Sequence, residues 1–319
     1  MRYSPSIRRL AALASSFVVL AAATVGAEDG GGALRVAAVQ TEVSQEDYLD
    51  ARAFEAYLER LVSEAERRGA DLVVFPEYIN VFLLFEEHKS LIASASSADE
   101  ALERLASRGG EAPDSALQTL VRRRAPAVER IVRRMWSGLA REYDVSIVAG
   151  TYFAPDGEHG LRNRALVFDG DGGLIHAQDK VFLTAFEERT LGLAEGELQA
   201  AKTFEIDGVE IGLTICRDSF FSDWEPVLGD ADLWLELRAN GEVYTDEVRR
   251  RFEGALAERV EATSVDLGVG ASLSGRLLDF VWEGPAYVVD EDGRRVLASD
   301  DVRGNSVLIT EVGRSDGTR

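Results

Sequence analysis

The chain carries one cysteine, Cys216, among 319 residues. It directly follows the apolar run Val209–Ile215, a placement typical of a nucleophile at the end of a strand. The alternative is an inert thiol, because free cysteine packs as a small hydrophobe and is often fully buried. The residues elsewhere in the sequence decide between these two interpretations.

Two further strand-like runs end in charged residues. Glu77 comes directly after Leu72–Phe75 and Pro76, which favours a carboxylate at the end of a strand. Lys180 and Glu187, seven residues apart, follow the glycine-rich turn at 169–173. Each is usually a solvated surface residue when it occurs alone. Their order along the chain with Cys216 is the more informative observation.

These residue types fit the cleavage of a carbon–nitrogen bond by a thiol. A thiol with a reference pKa of about 8.5 is mostly protonated at neutral pH, so it needs a base or an electrostatic field to react. Glu77 can act as this base and then protonate the departing amine. The ammonium of Lys180 and the backbone N–H of Arg217 can stabilise the anionic intermediate. We therefore expect an exposed, activated Cys216 with a lowered pKa.

The same segments resemble the nitrilase, or carbon–nitrogen hydrolase, superfamily from Leu34 to Ile309. Leu72–Glu77 is similar to the glutamate motif of that family, Lys180–Leu183 to its lysine motif, and Gly212–Asp218 to its cysteine motif. The resemblance implies a Glu77-Lys180-Cys216 triad. It also implies a second glutamate that orients the triad or the incoming water, for which Glu187 and the adjacent Glu188 are the two candidates.

The resemblance also limits the substrate and the fold. Cys216-Arg217-Asp218 lacks the Trp-Glu pair that typically follows the cysteine of true nitrilases, so a small-molecule substrate of the amide or carbamoyl type is favoured over a nitrile. The implied fold is an α/β, four-layer α-β-β-α sandwich over residues 34–311, which commonly forms a homodimer or a higher homo-oligomer. The alternation of strand-like and helical runs, including a predicted helix over Asp47–Arg68, independently favours an α/β protein.

The two ends of the chain differ from this domain. Residues 1–27 combine three arginines, an apolar run from Leu10 to Ala23 and a small-residue site ending at Ala27, which predicts a cleaved secretory signal. The run is shorter than the about twenty residues of a membrane span, so stable membrane insertion is not expected. We therefore expect a periplasmic or extracellular protein. Residues 28–33 read as a flexible lead-in, and residues 312–319 as a tail.

Charge and histidine spacing exclude several classes of ligand. The net charge of −21 argues against nucleic-acid partners. The three histidines, His88, His159 and His176, lack the spacing of a metal site, and we expect neither a metal nor another cofactor.

A helical insert is predicted over about 82–134, with a break at Gly109–Pro113. Because it follows Glu77, we expect it to form part of the substrate entrance, the alternative being a surface decoration. Its arginines, including Arg122, Arg123 and Arg124, indicate either a solvated face or a site for an anionic substrate group.

Three functions are compatible with these features. The favoured one is an exported hydrolase of non-peptide carbon–nitrogen bonds. The alternatives are an acyltransferase that passes the acyl group to an amine, and a non-catalytic binding protein that retains the fold. The last is disfavoured because two charges beside a thiol carry a desolvation cost that a retired site has no reason to maintain.

Overall fold

The structure, a computed structural model, describes residues 32–110, 112–157 and 160–313. The predicted signal sequence, most of the lead-in, His159 and residues 314–319 lie outside the described residues. The strands are β1 Leu34–Val43, β2 Leu72–Phe75, β3 Ser146–Pro155, β4 Leu161–Phe168, β5 Leu174–Asp179, β6 Phe204–Ile206, β7 Val209–Ile215, β8 Leu233–Arg238, β9 Leu267–Leu277, β10 Phe280–Trp282, β11 Tyr287–Asp290, β12 Arg295–Ala298 and β13 Ser306–Val312. The α-helices are α1 Gln45–Tyr48, α2 Ala51–Arg67, α3 Lys89–Ser94, α4 Ala98–Gly109, α5 Pro113–Tyr143, α6 Glu225–Leu228 and α7 Asp246–Glu261.

The strands form one continuous hydrogen-bonded path in the order β5-β4-β3-β2-β1-β9-β8-β7-β6. β1 joins its two halves, pairing with β2 through residues 36–38 and with β9 through residues 40–43. β1, β2, β3, β7, β8 and β9 are mutually parallel, and β5 runs in the same direction because two antiparallel pairings separate it from β3. The carboxyl ends of β2, β5, β7 and β8 therefore lie at one edge, where ligands bind in open α/β sheets.

Side chains that alternate along the strands divide the interior into layers. In β1, Val36 and Ala38 join an apolar cluster with residues of β7, β8 and β9, so the two halves of the path pack face to face. Ala37 and Val39 point the other way, into a cluster with α2 and α5. The opposite outer face is covered by α6 and α7. The predicted four-layer α-β-β-α sandwich is thereby confirmed.

Two predicted helical segments differ in detail from the structure. The helix predicted over Asp47–Arg68 is divided into α1 and α2, because the carboxylate of Asp50 accepts hydrogen bonds from the backbone N–H groups of Arg52 and Ala53 and starts a new helix there. The segment after Glu77 forms a 3₁₀ helix, Val81–His88, followed by α3, α4 and α5. Gly110, in a left-handed conformation, ends α4, and Pro113 begins α5.

Gly150 in β3 allows the loop that carries Glu77 to lie against the sheet. Its φ is +61°, and an added Cβ would collide with the carbonyl oxygen of Pro76 and the side chain of Ile79. We expect Gly150→Ala to lower the free energy of unfolding by about 3 kcal/mol or more, the sum of left-handed strain and overpacking. Chemical denaturation measures this change.

Gly110→Ala is the matched control, because Gly110 also has a positive φ, +71°, but an added Cβ there meets no atom within 4 Å. This control should lose only about 1–2 kcal/mol. Equal losses of unfolding free energy in the two variants would show that backbone strain alone, and not the contact with the loop at Pro76, explains why position 150 requires glycine.

Candidate active site

The structure brings Glu77, Lys180, Glu187 and Cys216 together as buried residues at the carboxyl edge of the sheet, and all of them except Glu187 line one cavity. Glu77 follows β2, Lys180 follows β5, and Cys216 follows β7. Glu187 lies in a single π-helical turn, Phe186–Thr190, a distortion often found at functional sites. Residues that are far apart in sequence therefore meet because their strands end at the same edge.

The ammonium of Lys180 lies between two carboxylates. Its Nζ is 2.8 Å from Oε1 of Glu77, and 3.0 and 2.9 Å from Oε1 and Oε2 of Glu187. All three side chains are essentially inaccessible to solvent. Three buried charges are tolerated only when each is paired and hydrogen-bonded, a condition that this geometry meets.

Asn163 in β4 is a site residue whose role the sequence does not reveal. Its Nδ2 donates to Oε1 of Glu77 and to Oε1 of Glu187, both at 2.9 Å. Its backbone carbonyl also accepts from the N–H of Lys180 at 2.8 Å. The signal in the sequence is an amide just before the apolar run Ala165–Phe168. The structure shows this amide to be fully buried, and such a group has to find polar partners.

Glu187, rather than Glu188, faces the site. Its Oε2 accepts hydrogen bonds from the backbone N–H and the hydroxyl of Thr184, at 2.8 and 3.0 Å, and it also contacts the hydroxyl of Tyr78. Glu188 is exposed. With each oxygen of Glu187 engaged by donors, this residue holds Lys180 in place.

Cys216 stands at a sharp turn between β7 and the 3₁₀ helix Cys216–Phe220. Its φ of +49° is uncommon for a residue other than glycine and is maintained by the surrounding structure. Asp218, which is fully buried, accepts hydrogen bonds from the backbone N–H groups of Val181, Phe182 and Ile215. Asp218 thereby ties the turn of the cysteine to the segment that bears Lys180.

The pKa values of the four groups follow from burial and from mutual charge. Burial raises the pKa of Glu77 to about 7, against the opposing effect of Lys180. Burial alone would lower the pKa of Lys180, but the carboxylates of Glu77 and Glu187 raise it above its usual value. Burial opposes ionisation of Glu187, and Lys180 nevertheless holds its pKa below the usual range.

The expectation of an exposed Cys216 with a lowered pKa is wrong. The residue is 8% exposed, and burial, together with the nearby carboxylate of Glu77, raises the pKa of its thiol well above the usual value. Glu77 and Cys216 line the same cavity. At rest the thiol is therefore neutral, with the carboxylate of Glu77 nearby.

A cavity of about 780 Å³ opens onto these residues. The predicted insert contributes much of its wall, but through apolar side chains rather than arginines. Arg122 and Arg123 are exposed, and Arg124 pairs with Glu86 and Glu87. The arginine cluster is thus a solvated, salt-bridged face on the outside of the insert.

Other sequence expectations concern metals and membranes. His88 and His176 lie apart from the site, and His176 stacks on Phe204 at 4.7 Å between ring centroids. Within residues 32–110, 112–157 and 160–313, no group of three or more His, Cys, Asp or Glu side chains could hold a metal ion. No helix in this part of the chain is both long and apolar enough to cross a membrane.

Comparison with known families identifies the class of protein. The family model described as carbon-nitrogen hydrolase matches residues 35–224, which is more than half of the chain. The matched region includes Glu77, Lys180, Glu187 and Cys216. The protein therefore belongs to the carbon–nitrogen hydrolase family, which confirms the resemblance seen in its sequence. No curated protein matches the chain.

Solved structures show the same fold at low sequence identity. One is a mutant amidase from Nesterenkonia sp. AN1 with acrylamide added to its active-site cysteine. It is 20% identical in sequence to this chain and superposes with a TM-score of 0.62, and the match covers 86% of this chain and 92% of the amidase chain. A double mutant of that amidase in complex with acrylamide gives 20% identity and a TM-score of 0.64, over 91% and 95%.

The effect of the nearby Glu77 carboxylate on the thiol predicts a distinctive pH dependence of alkylation. The rate at which iodoacetamide labels Cys216 should rise through pH 7, because the thiol loses its proton only when Glu77 is ionised to accept it. In Glu77→Gln, the step near pH 7 should disappear. Labelling quenched at set times and followed by mass spectrometry measures both pH profiles. If the rise in labelling rate near pH 7 persists in Glu77→Gln, a group other than Glu77 is responsible for it.

Proposed function

We infer that the protein is an exported amidase that hydrolyses amides through a thioester on Cys216. The single observation that carries this inference is the buried ion pair of Glu77 and Lys180, 2.8 Å apart, on the wall of the same cavity as the thiol of Cys216. In this proposal, Cys216 is the nucleophile, Glu77 the base and Lys180 the stabilising cation, and all three line the cavity. The general logic is that of a nucleophile activated by a base that a third group orients.

In the acylation step, Glu77 accepts the thiol proton while Sγ of Cys216 attacks the amide carbonyl carbon. The carbonyl oxygen becomes an anion and is stabilised by the Lys180 ammonium and by the N–H of Arg217, which lies in the first turn of the 3₁₀ helix Cys216–Phe220. Glu77 then gives the proton to the nitrogen, the carbon–nitrogen bond breaks, and ammonia or an amine leaves. The acyl group remains as a thioester.

In the deacylation step, water takes the place of the departed amine beside Glu77. Glu77 accepts a proton from this water while the water oxygen attacks the thioester carbon. The same proton then passes from Glu77 to the sulfur as the carbon–sulfur bond breaks. The products are a carboxylic acid and the free thiol. A pKa of about 7 suits a group that acts in turn as base and acid near neutral pH.

The choice of an amide as substrate draws on two supports. The Nesterenkonia amidase of the same fold is described in complex with acrylamide and in complex with butyramide. In addition, Arg217-Asp218 replaces the residues that follow the cysteine of true nitrilases, and here Asp218 is committed to three backbone N–H groups. Transfer of the acyl group to an amine remains the alternative fate of the same thioester.

We propose export from residues 1–27 of the sequence, with cleavage after Ala27 and a final location in the periplasm or outside the cell. We also propose a homodimer or a higher homo-oligomer, as the family resemblance implies. N-terminal sequencing of secreted protein and sedimentation of the purified enzyme test these two proposals.

The proposed roles of Cys216 and Glu77 are separable by experiment. Cys216→Ala should abolish amide hydrolysis while the protein stays folded, because no other group can form the thioester. Glu77→Gln should block both half-reactions, so that neither ammonia nor an acyl adduct accumulates. Ammonia release, mass analysis of the intact chain and circular dichroism measure these outcomes.

Asp114→Asn serves as the control, since Asp114 is exposed at the start of α5 and away from the cavity. It should behave as wild type. Retention of more than a few per cent of activity by Cys216→Ala would overturn the nucleophile assignment. Release of amine in the presence of a second amine without formation of free acid would instead indicate acyl transfer.

A further inference from the structure

The cavity beside Cys216 has two chemically different sides. On the side of the insert its wall is apolar and buried, formed by Phe82, Leu84, Ile92, Ala101, Leu117 and Val121. On the other side lie exposed polar residues, among them Arg217, Glu242 and Arg251. Glu242 and Arg251 form an ion pair of 2.7 Å with each other. One end of the space is thus closed and apolar, and the other faces solvent.

The apolar side is a consequence of helical spacing within the insert. Ala98, Ala101 and Leu102 project from one face of α4, and Leu117 and Val121 from one face of α5, at intervals of three or four residues. None of the charged residues of α5 lines the cavity. Arg122 and Arg123, next to Val121, are exposed to solvent. The insert therefore presents apolar side chains to the cavity.

The chemistry of the proposed function assigns a part of the substrate to each side. The leaving amine and the attacking water occupy the same position beside Glu77 in turn, so this position must exchange with solvent in every cycle. The acyl group stays on Cys216 from the first bond made to the last bond broken. The closed apolar side therefore suits the acyl group, and the exposed polar side suits the amine and the water.

We propose that the substrate is an amide of a medium- or long-chain carboxylic acid, whose acyl chain lies between the insert and Cys216. This proposal rests on the proposed amidase function and adds the substrate class. Burial of an apolar chain against these side chains supplies the binding free energy, and a volume of about 780 Å³ exceeds what the smallest amides fill.

The mouth of the cavity supports entry of such a chain. Phe186, Phe220 and Phe280 line the cavity and are between 37% and 44% exposed, so aromatic surface faces solvent at the entrance. Phe280 also stacks on Trp282, at 5.9 Å between ring centroids. Exposed aromatic side chains around a concave site are typical of an apolar ligand-binding surface.

The test compares kcat/KM for acetamide, hexanamide and octanamide with the wild-type protein. Each added methylene should raise kcat/KM roughly fourfold, the ratio that corresponds to burial of one CH₂, which gives a few hundredfold between acetamide and hexanamide. N-octylacetamide, which carries its chain on nitrogen, should be no better than acetamide. A kcat/KM that is flat or falls with acyl length, or a preference for N-octylacetamide, overturns the proposal.

Binding measured without turnover separates this proposal from the proposed function. Cys216→Ala should bind octanamide at least tenfold more tightly than acetamide in isothermal titration calorimetry. If the wild type hydrolyses no amide but this binding preference is present, the amidase function fails and the apolar site stands. If the wild type hydrolyses acetamide and the variant shows no preference, the acyl site fails and the amidase function stands.

A pair of variants locates the chain within the cavity. Ala101→Phe, which places a ring in the apolar side, should lower the octanamide-to-acetamide ratio of kcat/KM by tenfold or more. The double variant Arg122→Gln/Arg123→Gln, on the exposed face of the same insert, is the control and should leave the ratio unchanged. A ratio that changes in the arginine variant and not in Ala101→Phe places the selectivity outside the apolar side and contradicts the proposal.

Discussion

The ion pairs of Lys180 are the constraint on which the rest of the site depends. An ammonium held between the carboxylates of Glu77 and Glu187, with almost no solvent contact, has lost its hydration and must recover that free energy from its partners. Two carboxylates this close would repel each other without the cation. The cluster therefore fixes the position of Glu77, which in the proposed mechanism accepts the proton of the Cys216 thiol.

Several features of the fold supply the partners that this cluster needs. Asn163 donates to both carboxylates, and Tyr78 and Thr184 complete the shell around Glu187. Asp218 couples the cysteine turn to the lysine segment through backbone N–H groups, so that neither can move without the other. Burial of each charge costs free energy, and the hydrogen bonds that offset this cost also hold the groups in place. In such a preorganised arrangement, proton transfer requires little reorganisation.

Glu77 and Lys180 could be predicted from the sequence because each comes just after a strand-like run, and the parallel direction of these strands brings their ends to one edge. Asn163 and Asp218 could not be assigned in the same way. Their roles depend on which backbone and side-chain groups approach them across the fold, which no local pattern records. The same limit applied to the thiol, whose pKa is governed by burial and by Glu77 rather than by its own segment.

The insert shows a related limit at the level of secondary structure. Its helices and the break near Gly110 follow from local signals, since Gly ends one helix and Pro begins the next. The face that each helix turns toward the cavity is set by tertiary packing. The arginines, which are prominent in the sequence, lie outside, while inconspicuous residues such as Ala101 and Val121 line the space beside the thiol.

The most direct test of this account compares Lys180→Met with the double variant Lys180→Met/Glu187→Gln. The single variant leaves two buried carboxylates without a cation, and we expect it to lose about 3–5 kcal/mol of unfolding free energy. The double variant, with the same site charge as wild type, should regain most of this stability, whereas kcat/KM for an amide should stay on the order of 10²–10³ below wild type in both. A single variant as stable as wild type, or a double variant that recovers turnover together with stability, would contradict the role assigned to Lys180.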